Sequence, residues 1–401
     1  AAALWTPILV GLSMLVGSEL LRYFEIYREY AFLVVIIAIF VIYLSFKFVF
    51  PLVTWKGRRM VLSRWRRLTR WEFWPPYVIY IPVCLYIIVL WWRHSKLTVF
   101  TAANPGIEDG GFIGESKSEI LQLFSQQWIP PYRYLSGAQE AGVRIQQAEA
   151  FMEEKQLEFP VILKPDSGQR GEGVEVVKSQ DMLEMHIKQI DYDLIVQQYI
   201  GGKEYGVFYY RYPGSDSGRI FSITDKRYLT LTGDGSHTLE ELILKDDRAV
   251  CMAGLHFEKH RDRLYEVPNK GEEIPLVEVG THARGALFLD GSQLITENLR
   301  SSIDRIAGEA EGFFFGRLDV KVPDEQSLKE GKNLSVIEVN GVTSEATSIY
   351  DPNNSILDAQ RTLREQWRIA YEIGEENFRR HKTVSPASTL LRKLIHYDWK
   401  G

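Results

Sequence analysis

Hydrophobic and polar positions divide the chain at about residue 96. Before it, three apolar runs dominate, roughly Leu4–Leu21, Ala31–Val53 and Trp74–Trp92. The second, AFLVVIIAIFVIYLSFKFVFPLV, is broken only by Ser45 and Lys47, and its length meets the ~20 residues that an α-helix needs to cross hydrocarbon. It predicts a transmembrane helix. The first run contains Glu19 and reads either as a span forming a hairpin with the second or as the core of a signal peptide, although no Ala-x-Ala site follows it. The third, WPPYVIYIPVCLYIIVLWW, has Pro75, Pro76 and Pro82 to disturb a helix and tryptophans at both ends, as at a membrane interface.

Beyond Lys96, short β-branched or aromatic runs alternate with amphipathic charged stretches, the pattern of an α/β protein. Strands are expected at Leu97–Thr101, Val161–Lys164, Val174–Val177, Leu194–Gln198, Tyr205–Tyr212, Arg219–Thr224, Gly316–Val322 and Leu334–Val339. Helices are expected at Ser116–Ser125, Ala148–Lys155, Gln180–Gln189, Leu239–Leu244, Ser292–Phe313 and Ser355–Arg380. The segment PGSDSG, 213–218, reads as a hairpin turn.

Charge sharpens this division. The 47 Lys and Arg against 52 Asp and Glu give a net −5, so the molecule as a whole has no electrostatic reason to seek nucleic acid. Yet 55–70 carries Lys56, Arg58, Arg59, Arg64, Arg66, Arg67 and Arg70 with no acid among them. This basic loop marks the cytoplasmic side of a membrane or meets anionic headgroups. A full third span would then put the rest of the chain outside, whereas a re-entrant or interfacial 74–92 keeps it inside. The two cysteines, Cys84 and Cys251, form no disulfide framework.

Three constellations carry candidate chemistry. VILKPDSGQRGEGVEVV places Lys164 at a strand end before a loop with Gly168, Gly171 and Gly173, where backbone amides approach an anion closely; an ordinary turn between strands needs the same glycines. LIVQQYIGGKEYGV runs a strand into Gln197 and a Gly-Gly turn before Glu204, an amide and a carboxylate suited to a base edge and ribose hydroxyls, or a plain strand-turn-strand. In GRLDVKV and LSVIEVNGVTSEA, Glu338 and Asn340 are two apart on one strand face, and Asp319 on the preceding strand reaches the same point. Two carboxylates and an amide oxygen are hard ligands of the kind Mg²⁺ takes, and Arg317 shares the face of Asp319. His256 and His260 have the i,i+4 spacing of zinc ligands, but FEK between them is not a metalloprotease pattern.

Together, in this order, these segments resemble the ATP-grasp superfamily of ADP-forming carboxylate-amine ligases, the group of cyanophycin synthetase, D-alanine-D-alanine ligase and glutathione synthetase. The resemblance covers about residues 97–374. It implies an α+β ATP-grasp fold with the nucleotide between two mixed subdomains, here preceded by an all-α transmembrane region. It implies that Lys117 and Lys164 hold the phosphates of ATP, that Gly168, Gln169, Arg170, Gly171 and Gly173 cover them, and that Gln197 and Glu204 meet adenine and ribose. Asp319, Glu338 and Asn340 would bind Mg²⁺, or Mn²⁺ in its place, and Arg317 would steady the transferring phosphoryl group. DKRYLTLTGDGSHTLEELI looks most like the cyanophycin-synthetase branch, which brings Lys226 or Arg227 toward the γ-phosphate.

The expected organisation is a membrane region at 1–96, with spans about 4–21 and 31–53, a basic loop at 55–70 and the proline-rich segment 74–92. A short remnant of a pre-ATP-grasp subdomain follows at 97–147, the ATP-grasp domain at 148–380 and a tail at 381–401. The function implied is ligation of a carboxylate to an amine at the cytoplasmic face of a membrane, such as the bacterial inner membrane. A phosphotransferase on the same scaffold and a non-catalytic ATP-binding regulator are the alternatives. Tethering suggests lipid-linked or envelope-precursor substrates, with membrane lipid as a partner.

Overall fold

The computed structural model describes residues 10, 11, 13, 14, 17, 30–168, 171–277, 280, 285–381 and 383–396. Most of the first apolar run, and the loop residues Gln169 and Arg170, lie outside the described residues.

The N-terminal part is helical: α1 (Ala31–Leu44), α2 (Trp55–Thr69) and α3 (Pro76–His94). Turns at Ser45–Val49 and Phe50–Val53 continue α1, and Phe32, Ile36, Phe40 and Phe46 along it are exposed. Two helical stretches, Phe32–Val53 and Pro76–His94, are long and apolar enough to cross a membrane, by length and composition.

The segment 55–70, expected as a loop, is a helix instead. Thr54 accepts from the Gly57 amide at 3.0 Å to start α2, and three of its cations dock it on the segment 239–247. Lys56 pairs with Glu240, Arg66 with Asp247 at 2.8 Å, and Arg59 donates to the Leu244 and Lys245 carbonyls at 2.5 and 2.8 Å. Those carbonyls end a helix and have no intrahelical partner. A charge run that reads as a solvated loop is therefore a helix whose cations are mostly used locally.

The prolines of the third run do not break it. Pro75 precedes α3 and Pro76 is its first residue, where a missing amide costs nothing; only Pro82 lies inside. One face of α3 buries Ile79, Val83 and Leu90, while Tyr77, Ile81, Leu85, Ile88 and Trp92 on the other are exposed.

The next layer comprises α4 (Lys117–Gln122), β1 (Tyr132–Leu135), α5 (Ala141–Glu154), β2 (Val161–Pro165), β3 (Glu175–Val177), α6 (Gln180–Gln189) and β4 (Leu194–Gln198). Its antiparallel sheet runs β1-β4-β2-β3, and Phe151, Leu183 and Ile187 of the helices pack with Val161, Leu163 and Val196 of the strands. The expected boundary at 148 falls inside α5, so 132–147 belongs to this layer.

The larger layer contains β5 (Lys203–Tyr210), β6 (Arg219–Arg227), β7 (Thr230–Thr232), α7 (Leu239–Lys245), α8 (Ala253–Lys259), β8 (Glu273–Pro275), β9 (Leu287–Asp290), α9 (Glu297–Gly308), β10 (Phe315–Val322), α10 (Glu325–Glu330), β11 (Ser335–Asn340), α11 (Ile356–His381) and α12 (Ala387–His396). Its five-stranded antiparallel sheet has the order β11-β10-β5-β6-β9. One face, with Val207, Ile223, Leu318 and Val320, packs on Leu299, Ile303 and Ile306 of α9. PGSDSG joins the antiparallel β5 and β6, as its turn chemistry predicts.

Residues 97–101, expected as a strand, instead lead into 3₁₀ turns at Val99–Ala103. Their carbonyls are taken by side chains of α11 rather than by a neighbouring strand: Tyr371 donates to Leu97 at 2.7 Å and Asn377 to Ala102 at 3.0 Å. Gly374 permits this approach, since a Cβ there would lie 2.2 Å from the Val99 carbonyl oxygen. Gly374→Ala is expected to cost about 1–3 kcal/mol by overpacking, read as a lowered Tm in thermal unfolding of the full chain. An unchanged Tm would show that α11 moves away freely.

Candidate functional site

The polar face of the five-stranded sheet gathers its charges in rows set by register. Asp319 on β10 pairs with Gly206 on β5 and Glu338 on β11; Arg317 pairs with Phe208 and Asn340; Glu204 pairs with Lys226 and Lys321. Lys226 and Asp319 stand on strands either side of β5, and their contact runs past Gly206. A Cβ at 206 would lie 3.2 Å from both Arg317 Cδ and Asp319 Oδ1, and 3.6 Å from Lys226 Cε.

Across this opening Lys226 Nζ lies 2.8 Å from Glu204 and 3.0 Å from Asp319, and Arg317 Nε donates to Asp319 Oδ1 at 2.9 Å. All four side chains are buried or nearly so. Burial alone pushes Asp319 up, but the Arg317 and Lys226 cations outweigh it and hold its carboxyl below the ordinary range. Burial likewise works against the Lys226 ammonium, and Asp319 and Glu204 more than restore it, so Lys226 stays charged. Arg317 also donates to the Glu345 carbonyl at 3.2 Å.

The smaller sheet supplies the facing wall. Lys164, the penultimate residue of β2, donates to Gln197 Oε1 at 2.8 Å and crosses to the Ile337 carbonyl of β11 at 2.9 Å. Burial lowers its pKa to about 8. Lys117 begins α4, where Asp166 accepts from the Ser118 amide at 2.8 Å, and its ammonium donates to the Gly168 carbonyl at 2.8 Å. The glycine loop folds back over β2: Gly173 has φ +66°, and a Cβ there would meet Pro165 Cγ at 2.7 Å. Gly168, Gly171, Lys117, Lys164, Gln197 and Glu204 all line one cleft with Lys226, Arg317, Asp319, Glu338 and Asn340. Gln197 meets this cleft with its Nε2 buried and unpartnered among the described residues. Glu204, in contrast, has both oxygens engaged, by Lys226 and by Tyr228 Oη at 2.5 Å.

The metal-type donor set consists of two carboxylates and an amide; among the described residues no group of three or more His, Cys, Asp or Glu gathers. Asp319 is committed to its two cations. Glu338 faces the cleft opposite it in register, and Asn340 Nδ2 is buried without a partner among the described residues. The unpartnered Asn340 Nδ2 is a donor and suits an acceptor such as a phosphate oxygen, while the Asn340 carboxamide oxygen and the Glu338 carboxylate are the hard oxygens a cation would take.

Several groups escaped the sequence reading because only the fold brings them here. Tyr228 donates its hydroxyl to Glu204 Oε2, and burial with that carboxylate drives its pKa upward. Glu115 and Glu345 line the cleft, each pushed up to about 7 chiefly by burial; Tyr350 donates to both oxygens of Glu345 at 3.3 Å. Gly206 carried no signal beyond its place two residues after Glu204. His256, on α8, is buried beside the apolar packing of α7 and α8, where burial lowers its pKa to about 4.

The cleft is large, about 1120 Å³, and does not stop at the two sheets. It extends to the N-terminal helices, where Arg64, Arg67, Phe73, Trp74, Ile79 and Tyr80 form part of its wall.

The mixed α/β chain, with a lysine-bearing antiparallel sheet facing a second sheet of paired acids and cations, is consistent with an ATP-grasp architecture. Residues 115–207, the segment from Glu115 through β2 and β4 into β5, match the family model described as a RimK-like ATP-grasp domain. Among solved structures, the chain is similar to D-alanine-D-alanine ligase from Bacillus anthracis, at 17% identity and a TM-score of 0.37 over 67% of this chain and 69% of that one. It is also similar to a bifunctional glutathione synthetase from Pasteurella multocida, at 15% identity and a TM-score of 0.34 over 63% of this chain and 35% of that one. D-alanine-D-alanine ligase from Coxiella burnetii is 11% identical, with a TM-score of 0.36 over 70% of this chain and 61% of that one. No curated protein matches the chain.

Proposed function

We propose that the chain is a membrane-anchored, ADP-forming ligase that joins a carboxylate to an amine at the expense of ATP. The observation that carries this reading is the cleft itself, with Lys117 and Lys164 on one wall facing Arg317, Lys226, Asp319, Glu338 and Asn340 on the other. Lys117 and Lys164 bind and orient the phosphates, with the loop from Gly168 to Gly173, including Gln169 and Arg170, as their cover. Gln197 offers its unpartnered amide to the adenine edge, and Glu204 lies on the ribose side while anchoring Lys226.

Glu338 and the carboxamide oxygen of Asn340 would hold Mg²⁺, with Asp319 joining them once it shares its charge between the ion and its two cations, and the ion would supply charge neutralisation on the phosphates. Arg317 and Lys226 steady the phosphoryl group as it moves. In the reaction the substrate carboxylate oxygen attacks the terminal phosphorus and ADP leaves. The amine nitrogen then attacks the activated carbonyl carbon, phosphate leaves, and the amine surrenders a proton. Glu345, lining the cleft beside Arg317, is placed to receive that proton. Closure of the two sheets excludes water from the activated carboxylate.

Phe32–Val53 supplies the anchor. In this reading α3 lies along the membrane interface with Tyr77, Ile81, Leu85, Ile88 and Trp92 toward lipid, keeping α2 and the ATP-binding body together on the cytoplasmic face.

Detergent-solubilised full-length protein, supplied with ATP, Mg²⁺ and pairs drawn from carboxylates and amines, tests the reaction. ADP and free phosphate are expected in equal amounts, only when both partners are present, with an amide-linked product in the mass spectrum. Phosphate retained on product would make the chain a phosphotransferase. Tight ATP binding without turnover for any pair would leave a regulatory protein.

A further inference from the structure

The cleft is larger than the ~300–1,000 Å³ of an ordinary single-ligand pocket, at about 1120 Å³. Its wall continues onto α2 and α3, the segment that the sequence assigns to membrane attachment. Its wall there is of two kinds. Phe73, Trp74, Ile79 and Tyr80 are apolar or amphipathic, and Arg64 and Arg67 are cations.

The charges of this end do not cancel. Lys56, Arg59 and Arg66 are spent on docking α2 to the segment 239–247, and Glu72, also in the wall, is neutralised by Arg248 at 3.1 Å. Arg64 donates to the Lys47 carbonyl at 3.2 Å, and among the described residues neither it nor Arg67 pairs with a carboxylate. A pocket end combining aromatic surface with two uncompensated guanidiniums complements a ligand that is apolar along part of its length and anionic at one group. α3 contributes Ile79, Tyr80 and Cys84 to this wall and Arg64 ties it to Lys47 of the Phe32–Val53 stretch; both helical stretches expose apolar residues, which gives such a ligand a route from a bilayer interface into the cleft.

We propose that the end of the cleft walled by α2 and α3 binds an amphiphilic substrate of the ligase, an anionic headgroup on an apolar chain drawn from the membrane. Arg64 and Arg67 meet the headgroup; Phe73, Trp74 and Tyr80 meet the chain. This rests on the ligase reading and specifies its substrate class.

The test uses the full chain in phosphatidylcholine nanodiscs and three diazirine-bearing probes: palmitate, its methyl ester and butyrate. A diazirine lysophosphatidate forms a fourth arm, comparing phosphate with carboxylate as headgroup. Photolabelling mapped by mass spectrometry is expected on Phe73, Tyr80 and Cys84 with one of the anionic long-chain probes, and to be about tenfold weaker with the ester and with butyrate. Arg64→Gln with Arg67→Gln is expected to weaken it about tenfold, and Cys84→Trp to block it by filling the wall, while both variants still bind a fluorescent ATP analogue. Labelling confined to Phe32–Val53, or indifferent to probe charge and to the two arginines, overturns the proposal. If the wild type binds and consumes ATP but is not labelled in the cleft, the amphiphile inference alone fails; if it does not bind the ATP analogue, the ligase reading fails with it.

Discussion

Glu338→Gln is expected to reduce ATP consumption by about 10²–10³-fold or more while leaving stability nearly unchanged, whereas Asp319→Asn is expected to lose both. The two acids face each other in register but are used differently. Glu338 lines the cleft without an intramolecular partner among the described residues, so its charge is available to a cation bound there. Asp319 holds Arg317 and Lys226, both within 3.0 Å and buried. Removing its charge leaves a guanidinium and half of an ammonium's partners uncompensated, a loss of about 3–5 kcal/mol. Denaturant unfolding and ADP release, measured on the same preparations, separate the two effects. Undiminished ADP release by Glu338→Gln would remove that residue from the metal set.

The second large effect is expected for Lys226→Met. Lys226 joins two acids, Glu204 and Asp319, that otherwise share a buried face. Its loss is expected to cost about 3–5 kcal/mol at neutral pH and to abolish turnover. The pH dependence follows from Asp319, whose folded-state pKa is held below 3.8 partly by Lys226. A depressed carboxylate stabilises above its unfolded value and loses that contribution as pH falls through the folded value. The difference between wild type and Lys226→Met is therefore full above about pH 4 and narrows as pH falls from there toward the depressed folded value of the wild type, vanishing only where Asp319 is protonated in both proteins. The double variant with Glu204→Gln is expected to recover part of the loss, since Gln still accepts from Tyr228. A gap that widens on acidification would mean that Lys226 does not act through these carboxylates.

Much of this arrangement was legible beforehand. Short runs such as Leu194–Gln198 and Val161–Pro165 are strands because β-branched and aliphatic residues sit between turn signals. The two-residue spacing of Glu338 and Asn340 correctly anticipated that both would meet the Arg317–Asp319 strand, because pleat and register are fixed by period. What was not legible depended on contacts distant in sequence. Glu204, expected to meet ribose, is also tied to Lys226 and Tyr228. The string of arginines in α2 hides a helix, since periodicity in a charged segment shows only when its docking partner at 239–247 is known. Residues 97–101 have strand composition but lie where α11, not a strand, supplies the donors. The prolines of α3 looked disruptive because their positions relative to the helix start, which decide the cost, were unknown.

Gly206 has an electrical consequence as well as a steric one. By letting Lys226 reach past β5, it completes a set of Glu204, Lys226, Asp319 and Arg317 whose formal charges sum to zero. Viewed from several ångströms away, such a quartet acts as opposed dipoles rather than as ions, and its field falls off steeply. On the proposed reading, the long-range pull on a polyphosphate therefore comes from cations outside the quartet, Lys117 and Lys164 on the opposite wall with Arg64 and Arg67 at the α2 end, offset by Glu338 until a cation covers it. On that reading, capture of the ligand and stabilisation of its reacting group fall to opposite walls of the cleft.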